Sequence, residues 1–381
     1  MSALRTETIR MLQADIFCID KKYPSYDYFP DYIKARLEEY IKVISDEAFW
    51  KEFLKVHYPN NPEMLDTPLT FVPMMKGLSE CLSELIDEYY KGKINKAYQA
   101  FSEGLEKKIL WSTSIIFEKA IVTIQPKKLS LYRIREKKDK ALLRADMFHI
   151  PFQLRSKVTT QRYSIPGHPS LYLGDSIYVC WEEMRQPSMR NVYGVRVENQ
   201  EPIKIIEIVK VADFLKRVKS LDGTELSTEI FRFILTYPLT ICCSVRSIHK
   251  EATFKPEYIV PQLFLQYIME NKDGKIDGIK YFSTLVDVDK VENVGIYNYV
   301  FPTRTVHVTG YCEDLTKKFF ITEPLLYEHE EISKSNVTFY SSAARKDVLL
   351  ELNAGKKTPY DWTAFRKMEL VLDNSPANSL V

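Results

Sequence analysis

The chain has 381 residues, 45% of them hydrophobic, with 53 Lys plus Arg against 51 Asp plus Glu and a formal net charge of +2. That length provides for one large or two medium domains with a real core, and the near balance of charge argues against a broad electrostatic grip on nucleic acid. Glycine is scarce, at 12 residues, and neither G-x-G-x-x-G nor G-x-x-x-x-G-K-[ST] occurs, so no glycine-rich loop for dinucleotide or nucleotide phosphates is signalled.

The six cysteines, Cys18, Cys81, Cys180, Cys242, Cys243 and Cys312, form no C-x-x-C pair and no zinc or disulfide pattern. The vicinal pair Cys242–Cys243 ends the apolar run from Phe233 and reads as two buried free thiols. The opening Met-Ser-Ala-Leu-Arg-Thr-Glu lacks the apolar region of a signal peptide. No run approaches the roughly 18 apolar residues of a membrane span. A reduced, soluble, cytoplasmic protein is expected, with Asn336-Val-Thr338 a chance glycosylation sequon.

The first 125 residues or so read as helical. Apolar side chains at Leu78, Cys81, Leu82, Leu85, Ile86 and Tyr89 keep the i, i+3, i+4, i+7 spacing of an amphipathic helix over Gly77–Tyr90. Similar spacing runs through Tyr32–Ile44 and Ala97–Phe117, and Tyr58-Pro-Asn-Asn-Pro62 separates two of the helices. After Gln125-Pro-Lys-Lys128 the pattern changes to short Val-, Ile- and Tyr-rich pieces: Leu129–Ile134, Ser170–Leu173, Val192–Val197, Ile203–Ile208 and Gly278–Phe282. Helical patterns recur at Ala212–Ser220, Ser227–Leu235, Pro261–Glu270 and Trp362–Leu372. The expected architecture is α+β: a helical domain over 1–125, a domain with a mixed β-sheet core over 126–345, and a C-terminal extension over 346–381.

One segment concentrates chemistry. In Gln161–Met184 an arginine, Arg162, precedes a Pro-Gly turn, Tyr172 follows on a short strand, and Asp175-Ser176 is placed to cap a helix carrying Glu182 and Glu183. An arginine fork suits a phosphate or carboxylate, a tyrosine stacks on a planar ring, and a carboxylate stabilises an oxocarbenium-like centre. On spacing alone the simpler account is a surface arginine, a core tyrosine and a solvated glutamate.

The same segment resembles the signature of the RES family, the Arg–Glu–Ser toxins of bacterial toxin–antitoxin pairs. Leu131-Tyr-Arg133-Ile134 is similar to the family's first arginine strand. Arg162-Tyr-Ser-Ile-Pro-Gly167 through Tyr172 is similar to its G-R-[FW]-N-x-x-G-x-x-x-Y stretch, and eleven residues on from Tyr172 stands Glu183. Asp277-Gly-Ile-Lys-Tyr-Phe-Ser283 is similar to its D-G-[IV]-x-Y-x-S, and supplies the serine. The likeness covers about 130–285. It departs at Gln161, where the family has Gly, at Ser164, where it has Asn, and in the helical front and long back that typical single-domain members lack.

The resemblance implies a fold related to ADP-ribosyltransferases, with NAD+ as substrate and no metal. Cleavage of the nicotinamide–ribose bond, by hydrolysis or phosphorolysis, would make the chain a toxin or a defence protein. The alternatives are an ADP-ribosyltransferase acting on a macromolecule and a catalytically silent NAD-binding regulator. Carried over by residue, Arg133 and Arg162 would hold the diphosphate and its ribose, and Tyr172 the nicotinamide side. Glu183 would stabilise the ribosyl cation, and Ser283 would hydrogen-bond the nicotinamide ribose or carboxamide. The partners expected are NAD+, a cognate antitoxin and further copies of the chain through the helical domain, with no membrane and no nucleic acid.

Other candidates carry less. His149 reads as satisfied structure, His168 as an exposed turn residue, and Arg155 as a surface residue close enough to be a third phosphate contact. His329-Glu-Glu331 is not H-E-x-x-H, and the bases of Arg133–Lys140 are interleaved with acids, as in a solvated loop.

Overall fold

The fold is that of a computed structural model describing residues 3–21, 26–60, 71–106, 116–137, 139–249, 251–270, 276–305, 307–327 and 347–380. His329-Glu-Glu331, the sequon at Asn336, Pro62 and part of the expected helix Ala97–Phe117 lie outside the described residues. In chain order come helices α1 (Ala3–Met11), α2 (Phe29–Ile44), α3 (Glu47–His57), α4 (Val72–Tyr90) and α5 (Ile94–Leu105). Next are strands β1 (Ile121–Ile124), β2 (Ser130–Glu136) and β3 (Ser170–Gly174), then helix α6 (Ile177–Glu183), then β4 (Val192–Asn199) and β5 (Ile203–Ile208). Helices α7 (Val211–Val218), α8 (Gly223–Cys243) and α9 (Ile259–Glu270) follow. The rest is β6 (Gly278–Phe282), β7 (Val291–Glu292), β8 (Tyr297–Pro302), α10 (Glu313–Lys318), β9 (Phe319–Ile321), β10 (Leu325–Leu326), β11 (Leu349–Asn353), β12 (Lys356–Pro359) and α11 (Ala364–Asp373).

The chain divides into two compact units, Met1–Ile121 with Glu207–Tyr267, and Val122–Ile206 with Ile268–Val381. This differs from the division expected at residue 125. The helical unit takes in a second segment because α8, buried along nearly its whole length from Leu226, needs the apolar faces of α2, α3 and α4 around it. Tyr40 on α2 donates to the Ile234 carbonyl (2.7 Å), and Tyr237 on α8 donates to that of Ile16 (2.9 Å). Trp50, Phe53, Phe71 and Phe231 form an aromatic cluster beside them. Asp46 starts α3 by accepting from the Ala48 and Phe49 amides, a cap of about 1 kcal/mol.

The sequence predicted only Ser227–Leu235 of α8. The helix in fact runs on through Pro238 to Cys243, its interior proline tolerated in a segment held on all sides by packing. By length and composition α8 is apolar enough to cross a membrane, contrary to the expectation that no such run exists, but 78% of the qualifying window is buried within the protein.

The second unit is built on a nine-stranded sheet in the order β1-β5-β6-β8-β3-β2-β4-β10, with β9 also paired to β4. The pairs β6–β8, β8–β3, β3–β2, β2–β4, β4–β9 and β4–β10 are all antiparallel. A small sheet, β12-β11-β7, belongs to the same unit. Fold class is therefore α+β.

Register places Tyr281, Asn298, Gly174, Tyr132 and Arg196 in one row across five neighbouring strands, and so on one face. Helices α6 and α11 cover that face. Tyr132 donates to Asp373 (2.5 Å) and Arg196 to the Leu372 carbonyl (3.0 Å). Gly194 has no Cβ because one would lie 2.8 Å from Met368. The expected C-terminal extension is thus a working layer of the sheet unit.

Candidate active site

The site is set by how α6 begins. Ser176 caps it, accepting from the Val179 amide (3.0 Å) and donating to the Gly295 carbonyl (2.6 Å). Asp175 accepts from the Tyr297 amide (2.9 Å), which ties the helix start to β8. Two glycines permit this approach: a Cβ on Gly174 would lie 2.5 Å from Val179 and one on Gly295 2.7 Å from the Asp175 carboxylate. From the other side Glu369 of α11 accepts from the Ile177 amide (2.8 Å) and from the Tyr360 hydroxyl (2.6 Å).

Glu183 ends α6, and its carboxylate is held on one side only. Oε1 accepts from Ser283 (2.6 Å) and from Asn298 (2.7 Å). Among the described residues no hydrogen bond goes to Oε2. Ser283 is itself buried, its oxygen accepting from the Leu285 and Val286 amides (3.1 and 3.3 Å), so donor and both acceptor positions are used inside the protein.

Glu183 is exposed to solvent, though much protein surrounds its carboxylate. That crowding pushes its carboxyl above the ordinary value, against the hydrogen bonds from Ser283 and Asn298 and the nearby Arg162 charge, which pull it down. The residue remains accessible, so its loss of hydration is partial.

Glu182 points elsewhere. It accepts from Gln186 (3.1 Å) and meets the Tyr178 hydroxyl, as the roughly 100° between consecutive helical residues requires.

Arg162 is buried in the loop before β3 and donates to Thr284, next to Ser283 (3.1 Å). Gly167, at φ 74°, makes the Pro-Gly turn, closed by the His168 amide on the Ile165 carbonyl (2.9 Å). Tyr172 shares the face of Asn298, two residues from Gly174 on β3, and its hydroxyl donates to the Tyr163 carbonyl. The Tyr163 ring lies 4.3 Å from that of Tyr281. Glu183, Ser283, Arg162 and Tyr172 are thus gathered on one face of one unit.

Arg133 stands apart from them. Being next to Tyr132, it leaves β2 toward the opposite face, and no hydrogen bond or ion pair among the described residues links it to Glu183 or Ser283. Strands β2 and β3 share a single register pair, Tyr132 with Gly174, and beyond it Arg133 Nη1 donates to the Tyr172 carbonyl (3.1 Å). Its Nε is buried without an acceptor, and burial, followed by Arg135, pushes the guanidinium down to about 9. A charge held in this way favours an anionic partner.

The remaining sequence candidates resolve individually. His149 is buried, with Nδ1 on the Ile150 carbonyl (2.8 Å) and Nε2 accepting from the Cys312 amide (2.9 Å). Burial lowers it to about 4, so it is a neutral structural histidine. His168, expected to be exposed, is half-buried and held at Nε2 by Thr303 (2.7 and 2.9 Å). Arg155 is exposed, 5.6 Å over the Phe152 ring. In the Asp-Gly pair, Asp277 binds Lys318 (2.6 Å) and the Lys204 amide (2.7 Å), while a Cβ on Gly278 would lie 2.5 Å from the Val300 carbonyl. Among the described residues no group of three or more His, Cys, Asp or Glu side chains is arranged to hold a metal ion.

Sequence reasoning missed Asn298 and Glu369. Neither lies in a recognisable motif; only the register of β8 and the docking of α11 bring them to α6.

No family model matches the chain. No solved structure matches it. The chain is similar to a Bacillus subtilis (strain 168) protein named putative toxin YopC, 28% identical over 336 residues. The alignment takes in 86% of this chain and 74% of that protein. That is more than either unit contains, so the likeness embraces the helical unit as well as the sheet unit.

Proposed function

We propose that the chain is a toxin that cleaves the nicotinamide–ribose bond of NAD+, on an ADP-ribosyltransferase-like sheet unit. The observation that carries this reading is the Glu183 carboxylate, anchored through Oε1 by Ser283 and Asn298 and accessible to solvent, with no hydrogen bond to Oε2 among the described residues. Nicotinamide is a good leaving group, so the protein's task is to stabilise the ribosyl cation and to direct water or phosphate to C1. A fixed carboxylate with one free oxygen suits both. Arg162 beside it is the group proposed for the diphosphate, while Arg133, which leaves β2 toward the opposite face, is not part of that contact. The similarity to a protein named as a toxin, together with the resemblance to the RES signature, supports the biological side of the proposal.

Incubating the purified protein with NAD+ and following free nicotinamide, with and without phosphate, tests it. Release without phosphate indicates hydrolysis, and a requirement for phosphate indicates phosphorolysis. ADP-ribose found attached to an added macromolecule would instead assign transferase activity. Bound but intact NAD+ would assign a silent regulator.

A further inference from the structure

The most telling feature of the site is one that neither the motif nor the proposed reaction assigns. Asn298, on the central strand β8, is buried, and its amide Nδ2 lies 2.7 Å from the same Glu183 oxygen that Ser283 holds. Both donors converge on Oε1. A carboxylate with both hydrogen bonds on one oxygen cannot rotate about its last torsion without breaking both, so its other oxygen is fixed in direction. Asn298 is paired in register with Gly174 on one side and Tyr281 on the other, so its backbone is as rigid as a central strand allows. Side chains that orient a reacting group from such a position act through geometry and through the charge they favour.

We infer that Asn298 is a positioning residue for Glu183, selecting Oε2 as the oxygen presented to the reacting centre. The inference rests on the reading of Glu183 as the working carboxylate. The charged and titratable groups that face Glu183 are Arg162 from the loop before β3 and Glu182 and Cys180 from its own helix; Ser283 and Asn298 are its neutral donors. In Asn298→Asp, two carboxyl groups would stand at hydrogen-bond distance. They can share one proton but cannot both ionise at low cost. At high pH the variant therefore repels Glu183; at low pH the protonated Asp restores a donor to Oε1.

The experiment uses the full chain with NAD+, measuring kcat and KM for nicotinamide release across pH for wild type, Asn298→Leu and Asn298→Asp. In parallel, the Glu183 carboxyl is titrated by carbon-13 NMR, assigned through Glu183→Gln. Expected for Asn298→Leu is a fall in kcat of about ten- to a hundredfold, the range for losing a hydrogen bond to a charged group. KM should change little, and the Glu183 titration should move up. Asn298→Asp should be weak at neutral pH and regain activity as pH falls, a profile that a merely structural role does not produce. If Asn298→Leu shifts neither kcat nor the Glu183 titration, while the wild type releases nicotinamide, the inference is overturned and the NAD+ reading stands. A wild type that releases none overturns the NAD+ reading, while a raised Glu183 titration in Asn298→Leu would still support Asn298 as the holder of that carboxylate.

Discussion

Glu183 and Ser283, 100 residues apart in the chain, meet through a 2.6 Å hydrogen bond in which the serine donates. With its oxygen also occupied by the Leu285 and Val286 amides, Ser283 has nothing left to offer a ligand in this arrangement. Its geometry is that of a support for Glu183.

Glu183→Gln is expected to lower nicotinamide release about a thousandfold, in the range for removing a key electrostatic stabiliser, while NAD+ binding measured by calorimetry persists. Glu182→Gln, which alters only the contacts to Gln186 and Tyr178, should keep most of the activity. Because crowding raises the Glu183 carboxyl, the acid limb of the wild-type pH profile should lie above the ordinary value of about 4.3. Equal activity of the two variants would remove Glu183 from the chemistry.

Gly174→Ala is expected to cost about 1–3 kcal/mol of stability, since the new methyl would lie 2.5 Å from Val179 and 2.7 Å from the Cys180 sulfur. The strain falls on the first turns of α6, so activity should drop together with the melting temperature. A variant that melts like wild type would show that α6 is free to shift.

Glu369 provides a pH test of the α6 support. Burial raises its carboxyl, against the pull of Tyr360, the Ile177 amide and Arg366. A group with a raised folded-state pKa binds more protons in the native than in the unfolded state between the two values, so stability falls as pH rises through that window. The stability of wild type relative to Glu369→Gln should therefore be greatest below about pH 4.3, decline as pH rises from there through the folded value, and level off above it. Urea unfolding of both proteins at a series of pH values measures the difference, and a flat difference would contradict it.

Removing residues 1–120 should make the remaining chain aggregate. The deletion strips α2, α3 and α4 from α8 and exposes a helix buried almost end to end. Soluble, monomeric protein after this deletion, judged by size-exclusion chromatography, would mean that 207–267 can close its own core.

Much of the architecture was legible because its elements follow simple periods. The strand read at Ile203–Ile208 matches β5, and those at Ser170–Leu173 and Gly278–Phe282 match β3 and β6 to within a residue. The helices around Gly77–Tyr90 and Pro261–Glu270 differ only in their first turns. What periodicity could not reveal was which helices share a core: α8 follows β5 in sequence but belongs with helices more than 100 residues earlier. The same limit applies to the site. Arg162, Glu183 and Ser283 lie in motif-like segments, whereas Asn298 sits in a tyrosine-rich strand and Glu369 in an ordinary amphipathic helix, and only pairing across the sheet gives either a role.

The split make-up of the helical unit also fixes an order of events during synthesis. Chains grow from the N-terminus, and domains fold as their parts emerge. The helical unit is complete once residue 267 is out, but Glu183 then still lacks Ser283 and Asn298, and α6 lacks Glu369. A ribosome-bound or prematurely released chain therefore carries the arginines and the carboxylate without the frame that aims them. For a protein proposed to consume a metabolite its own host depends on, the unfinished polypeptide would lack the assembled site.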